Sequence, residues 1–178
     1  MFHFFYTLPI CIVLLIMALF IALWGRIGIS HHIFHWQTIN VMLTGGATLV
    51  VLYTTVWNRP VGTYEAVLRP LAALVQAREQ PELYREMLMN VFLFFPLGLT
   101  LSNALSRKLR LWMRIGVTTL AGFLLSVGVE LTQYVCSIGM AETDDMICNT
   151  MGAFLGAMSL WVGFGLENIR KVFGGKSS

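Results

Sequence analysis

Five long runs of apolar residues alternate with short polar segments along this chain. They cover residues 5–24, 39–57, 88–105, 111–136 and 146–166. A helix needs about 20 largely apolar residues to cross a bilayer, so each run is close to that length. The first run has no basic leader before it and no small-residue cleavage site after it, so we interpret it as a retained span rather than a signal peptide. The pattern predicts an all-α, polytopic transmembrane bundle with about five spans.

The composition agrees with a chain that is solvated mainly by lipid. Hydrophobic residues make up 57% of the sequence and charged residues only 12%, whereas a soluble domain carries about 25% charged residues. We therefore expect one transmembrane domain over residues 1–178 and no sizeable soluble domain. The three cysteines, Cys11, Cys136 and Cys148, follow no metal-ligand spacing. We expect them to be buried thiols.

The charges between the apolar runs predict an orientation. The basic residues Arg107, Lys108, Arg110 and Arg114 lie between the third and fourth runs, and Arg170, Lys171 and Lys176 follow the fifth. The acidic residues Glu142, Asp144 and Asp145 lie between the fourth and fifth runs. Basic loops stay on the cytoplasmic side. The prediction is an N-terminus outside, a C-terminus in the cytoplasm and an acidic turn outside.

Two of the connecting segments leave alternatives open. The segment Tyr64–Ala77 of the second loop is modestly apolar but too short to span, so either an interfacial helix or a re-entrant segment fits it. In the first loop, His31, His32 and His35 have no carboxylate or cysteine beside them. A solvated surface cluster is therefore favoured over a metal site.

Six polar residues in or beside the last three runs are the candidate site. They are Asn90 in the third run, Glu130 and Gln133 in the fourth, and Asp144, Asp145 and Asn149 at the start of the fifth. Polar groups are costly in lipid and are functional candidates for that reason. In the predicted topology, the third and fifth runs begin outside and the fourth ends outside, so all six residues are expected to meet near the outer leaflet.

Helical spacing places these residues on continuous faces. Glu130 and Gln133 share a face, which continues inward through Ser126 and Gly122. The stripe Asp145, Asn149, Gly152 and Gly156 advances by four, three and four positions. Small residues at such spacing allow close helix packing, so we expect Gly152 and Gly156 to pack against the fourth span. We also expect Pro96 to bend the third span.

A purely structural interpretation stands beside the functional one. These groups would then only bond to each other, with Asn90 and Asp144 serving as helix N-caps and Glu142 as a solvated loop charge. A glutamine would cost less than Glu130 in lipid, which favours a ligand or catalytic role for that carboxylate.

The polar motifs resemble those of a known family. They read Asn90-x-x-Leu93-Phe94-x-Pro96-x-Gly98, Ser126-x-x-x-Glu130-x-x-Gln133 and Asp144-Asp145-x-x-x-Asn149-x-x-Gly152-x-x-x-Gly156. In this order they resemble the VanZ-like family, with residues 88–166 the best-matched portion of a VanZ-like transmembrane domain. The resemblance implies a multi-pass protein of the bacterial cytoplasmic membrane, linked to lowered susceptibility to the glycopeptide teicoplanin. It also implies a polar site of Asn90, Glu130, Gln133, Asp145 and Asn149. Members often carry an arginine just before the paired acids, whereas residues 138–143 contain none.

Two hypotheses follow from these residues. In the first, an outer-leaflet pocket binds a lipid headgroup, a lipid-linked cell-wall precursor or a lipoglycopeptide, and a tail enters beside Phe92, Phe94 and Phe95. In the alternative, Glu130 and Asp145 act as general acid and base of an intramembrane enzyme on a lipid-linked substrate, with or without a divalent metal. No nucleophile is evident in the sequence. We expect membrane lipids as partners, and no nucleic acid, cofactor or resident metal.

Overall fold

A computed structural model describes residues 10–29, 35–57, 66–67, 70–71 and 81–174. Its helices are α1 (Ile10–Ile29), α2 (Trp36–Leu52), α3 (Pro81–Ala104), α4 (Leu111–Cys136), α5 (Thr143–Ala157) and α6 (Ser159–Gly174), and a π-helical turn, Tyr53–Trp57, continues α2. Two short strands, β1 (Ala66–Val67) and β2 (Ala141–Glu142), pair in parallel. The all-α class is confirmed, with this strand pair as a local addition.

The helices have the length and hydropathy of membrane spans. Among the described residues, four segments are long and apolar enough to cross a bilayer: Trp36–Trp57, Glu82–Ala104, Leu111–Cys136 and Thr143–Gly165. A polytopic, multi-pass membrane protein is therefore confirmed. Helix α1 contains a shorter apolar stretch, Leu15–Trp24. Its crossing as a fifth span stays a prediction, and so does the outside position of the N-terminus.

Two spans begin earlier than the apolar pattern indicated. Helix α3 starts at Pro81 rather than residue 88, because proline suits the first helical position and Glu82 complements the positive end of the helix. Helix α5 starts at Thr143 rather than residue 146, with two acids in its first turn. Asn90 consequently lies well inside α3, so its interpretation as a helix N-cap is wrong.

Helix α3 is the centre of the bundle. Phe94 and Leu97 pack with Val51 of α2 and Val129 of α4. On another face, Phe95 and Leu99 pack with α1. The helix continues through Pro96, whose side chain is exposed. Phe94 and Phe95 are buried in this core, whereas Phe92 is half-buried, and the entry of a lipid tail beside these three residues stays a prediction.

The two glycines of the α5 stripe, Gly152 and Gly156, pack against α3. The sequence pattern had predicted that they pack against α4, so that prediction is wrong. A Cβ at Gly152 would overlap the carbonyl oxygen of Val91, and one at Gly156 would overlap the backbone at Phe95 and Leu99. Gly98 of α3 faces the backbone of α5 in the same way. Small residues on both helices allow α3 and α5 to approach closely. The glycine of α4, Gly122, contacts Ala153 of α5 instead.

The contact of α4 with α5 uses the predicted face of α4. A Cβ at Gly122 would overlap the Cβ of Ala153. Ser126, one turn further along, bonds to Asn149. The small stripe of α4 therefore does face the fifth span, as predicted, and only its partner residues differ.

Polar contacts close the other end of α3. The guanidinium of Arg114 donates from Nε and Nη2 to the carbonyl oxygen of Ser102, at 3.1 and 2.7 Å. Gln37 donates to the carbonyl oxygen of Ala104. These carbonyls lie in the last turn of a helix and lack intrahelical partners. Arg114, counted above as a loop charge, is thus a half-buried residue of α4 that caps α3.

Several expectations fall partly outside the described residues. Most of Tyr64–Ala77 lies outside, apart from β1, Pro70 and Leu71. His31 and His32 also lie outside, and His35 is exposed. Of the cysteines, Cys148 is buried as expected. Cys136 is exposed, so the expectation of a buried thiol is wrong there, and the side chain of Cys11 is not described.

Candidate functional site

The six candidate residues lie at one end of the bundle, where α3 and α5 begin and α4 ends. We call Asn90, Glu130, Gln133, Asp144, Asp145 and Asn149 the acid–amide cluster. Four of them, Glu130, Gln133, Asp144 and Asn149, are almost fully buried, with 1–5% of their surface exposed. Their convergence required only that three helices pack side by side. Their role in binding a ligand stays a prediction.

Asn90 and Asp145 join α3 to α5. The amide Nδ2 of Asn90 donates to Oδ1 of Asp145 at 2.6 Å. A hydrogen bond to a carboxylate is charge-assisted and stronger than one between neutral groups. Both side chains are half-buried. The close glycine contacts further along α3 and α5 hold the two helices near enough for this bond.

Glu130 is held by the turn that follows its own helix. The backbone N–H of Glu142 donates to Oε2 of Glu130 at 2.9 Å. The turn begins at Ser137, in the left-handed region at φ 52°. The N–H of Ile138 then donates to the carbonyl oxygen of Gln133, which is the helix-ending Schellman arrangement. This reversal returns the chain to Glu130, and Glu142 is half-buried rather than solvated as expected.

Gln133 reaches across to the π-helical turn after α2. Its Nε2 donates to the carbonyl oxygen of Thr55 at 2.9 Å. Because that partner is a carbonyl, the amide nitrogen must face it, and the orientation of the amide is determined. Its Oε1 is buried and has no hydrogen-bond partner among the described residues. An unpaired buried acceptor destabilises the folded protein by about 1–3 kcal/mol, so a hydrogen-bond donor that reached this oxygen would be stabilising.

Asn149 joins α5 to α4. Its Nδ2 donates to Oγ of Ser126 at 2.9 Å, between two fully buried side chains. Its Oδ1 is likewise without a partner within the described part of the chain. The amide could be turned, because a hydroxyl both donates and accepts. In either orientation, the amide of Asn149 has one atom, oxygen or nitrogen, that can make a further hydrogen bond.

Asp144 connects the cluster to the long second loop. Its Oδ1 accepts from the backbone N–H of Leu71. The parallel pairing of Ala66 with Ala141 brings the same loop beside the turn. Asp144 is 5% exposed, so its interpretation as a solvated N-cap is wrong.

The cluster offers mainly oxygen acceptors. Three carboxylates and three amide oxygens belong to it, and several of these side chains have further contacts. Within residues 10–29, 35–57, 66–67, 70–71 and 81–174, no three His, Cys, Asp or Glu side chains meet as metal ligands. A group that brings N–H or O–H donors is the natural complement of such a site.

Three contacts of the cluster were not foreseen from the sequence. They are the carbonyl of Thr55, the N–H of Leu71 and the N–H of Glu142. All three are backbone atoms, and any residue type supplies them. The sequence therefore carried no signal for them, whereas it did mark the side chains that they contact.

The comparisons with known proteins agree with these motifs. The profile of the VanZ/LLP1 family matches residues 5–164. The chain belongs to this family. It is also 36% identical over 75 residues to Protein VanZ of Enterococcus faecium, a match that covers 41% of this chain and 42% of that protein. The shared region is thus less than half of that VanZ protein. No solved structure matches this chain.

Proposed function

We propose that the acid–amide cluster of this VanZ-family protein binds the polar part of a cell-envelope amphiphile at the outer leaflet. The amphiphile is a lipid, a lipid-linked cell-wall precursor or a lipoglycopeptide. Binding there lowers the susceptibility of the cell to teicoplanin, as the resemblance to VanZ-like proteins implies. The outer position rests on the predicted topology.

The observation that supports this proposal is the combination of Glu130 and Gln133. Glu130 is a carboxylate that is only 4% exposed, three residues before an amide whose oxygen has no partner in the described structure. A cluster that served only to hold helices together would satisfy its own acceptors, because each unpaired one is destabilising. A ligand that supplies donors removes this cost.

The test is the substitution Glu130→Gln, with Glu82→Gln as a matched control. Glu82 lies exposed in the first turn of α3 and is not a member of the cluster. Both changes remove one negative charge and keep the shape of the side chain. The measurement is growth in teicoplanin of cells that express each variant, with the yield of detergent-stable protein measured in parallel, after wild type has been shown to protect.

We expect Glu130→Gln to fold like wild type and to lose protection, while Glu82→Gln keeps it. A glutamine in the membrane costs less than a buried charge, so loss of folding is not expected. Unchanged protection in Glu130→Gln would contradict the proposal and return the carboxylate to a structural role.

An intramembrane enzyme is the alternative. It is favoured by the arrival of two carboxylates, Glu130 and Asp145, at the same end of the bundle, each with a hydrogen-bond donor. Such a pair can exchange a proton with a substrate. Turnover of a lipid-linked substrate by the purified protein, lost in Asp145→Asn, would support the enzyme; stoichiometric binding without turnover supports the binding protein.

A further inference from the structure

An open groove runs along the outer surface of α4 and α5. Its volume is about 460 Å³, within the range of about 300–1,000 Å³ that small-molecule sites occupy. Its walls include Thr119 and Phe123 of α4 and Met146, Thr150 and Phe154 of α5. Almost all of the lining surface is apolar. The groove lies on a different face of α5 from the glycine stripe that packs against α3.

One end of the groove lies beside the turn that holds Glu130. Phe123 and Glu130 are seven residues apart on α4, which is about two helical turns, so they share a face. At the same end, the groove is lined by Thr143. Thr143 directly follows Glu142, whose backbone N–H donates to Glu130. The apolar groove therefore ends one residue from the N–H that holds the buried carboxylate.

The length of the groove matches one leaflet. From Thr143 to Phe154 the helix advances by eleven residues, or about 17 Å at 1.5 Å per residue. Half of the hydrocarbon core of a bilayer is about 15 Å thick. A hydrocarbon chain whose headgroup lies at the acid–amide cluster would thus fill the groove and end near the midplane.

The unpaired oxygen of Gln133 indicates the chemistry of the headgroup. It lies on the face of Glu130, is buried, and must accept a hydrogen bond because the amide nitrogen is committed to Thr55. The hydroxyl of Ser137, in the turn after α4, is also buried and without a partner among the described residues. An ammonium group or a sugar hydroxyl can donate to such atoms, whereas a phosphocholine headgroup has no N–H or O–H donor.

We propose that the groove between α4 and α5 is the chain-binding part of the site. It holds one acyl or prenyl chain of an amphiphile whose headgroup carries hydrogen-bond donors and reaches Glu130 and Gln133. This inference rests on the proposed function and names the class of ligand. It also moves the lateral entry from α3, where the sequence suggested it, to the surface of α4 and α5.

The test uses the purified full-length protein in phosphatidylcholine vesicles. Each sample contains a trace of one probe with the same diazirine-bearing chain: phosphatidylethanolamine, glucosyl diacylglycerol or phosphatidylcholine. After illumination, mass spectrometry locates the labelled peptides. We expect the peptide that contains Met146 and Thr150 to be labelled about tenfold more by a donor-bearing probe than by phosphatidylcholine. The two donor-bearing probes distinguish an ammonium from a hydroxyl ligand.

Two substitutions test the position of the chain. Thr150→Trp fills the groove from α5, and Thr119→Trp fills it from α4, so a folding defect in one leaves the other informative. Leu124→Trp is the matched control, because Leu124 is an exposed residue of α4 that does not line the groove. We expect groove labelling to be lost in the first two variants and kept in the third.

Equal labelling by all three probes would show bulk lipid in the groove and overturn the proposal. Labelling that survives both tryptophan substitutions in folded protein would overturn it as well. The outcome is separable from the proposed function. Selective groove labelling with protection unchanged in Glu130→Gln would refute the antibiotic role alone. Loss of protection in Glu130→Gln without selective labelling would refute the groove alone.

Discussion

Replacing Gly152 by alanine should destabilise the bundle, although alanine is the better helix former. The added Cβ would overlap the carbonyl oxygen of Val91 on α3. Because backbone cannot rotate away, α3 and α5 must separate by roughly 1 Å, which forfeits a quarter to a half of each dispersion contact between them. Overpacking of this kind costs about 1–3 kcal/mol.

Gly128→Ala is the matched control for this change. Gly128 is an exposed residue in the interior of α4, and a Cβ there would meet nothing within 4 Å. Both substitutions gain the same helix propensity, up to about 1 kcal/mol. The difference between the two variants therefore isolates the interface, and we expect Gly152→Ala to be less stable by about 1–3 kcal/mol.

The assay is equilibrium unfolding of the full-length protein in mixed micelles, followed by helical circular dichroism as the fraction of sodium dodecyl sulfate rises. A Gly152→Ala protein as stable as Gly128→Ala would refute the close contact of α5 with α3.

A companion variant distinguishes the contact of α5 with α3 from its contact with α4. The loss of stability in Gly122→Ala should be partly reversed by Ala153→Gly, because the added Cβ at Gly122 overlaps the Cβ of Ala153, which this second change removes. The added Cβ at Gly152 overlaps backbone, which no substitution removes.

Three further predictions concern the cluster and its orientation. Ser137→Gly should stabilise the protein by about 0.5–1 kcal/mol, because glycine adopts the left-handed conformation without strain; a less stable variant in the same unfolding assay would contradict the turn. A double-mutant cycle of Asn90→Ala and Asp145→Ala should give a coupling energy of about 1–3 kcal/mol, as expected for a charge-assisted bond, and additive effects would mean that the bond contributes nothing. Single cysteines at the exposed positions Met140 and Lys108, in a cysteine-free background, should react oppositely with an impermeant reagent. Only position 140 should label from outside, and the reverse would place the cluster at the cytoplasmic face.

The sequence alone predicted the four apolar helices that are long enough to span a membrane, and the end of the bundle at which the candidate residues lie. Hydropathy reports transfer from water to lipid, a property that each segment has by itself. Loop charges and helix spacing then placed Asn90, Glu130 and Asp145 at one depth without any knowledge of packing. In the structure Asn90 donates to Asp145, and Glu130 lies at the same end of the bundle, bonded to the backbone of Glu142.

Only the tertiary structure decided which faces touch. Lipid surrounds every apolar helix in the same way, so hydropathy cannot say whether Gly152 meets α3 or α4; that choice depends on the shapes of two surfaces far apart in sequence. The same holds for the contacts of Gln133 with Thr55 and of Asp144 with Leu71, which use backbone atoms that every residue carries. The groove beside the turn that holds Glu130 is lined by side chains of α4 and α5, two helices that approach closely at Gly122 and Ala153. It is a property of the gap between two helices and of neither helix alone.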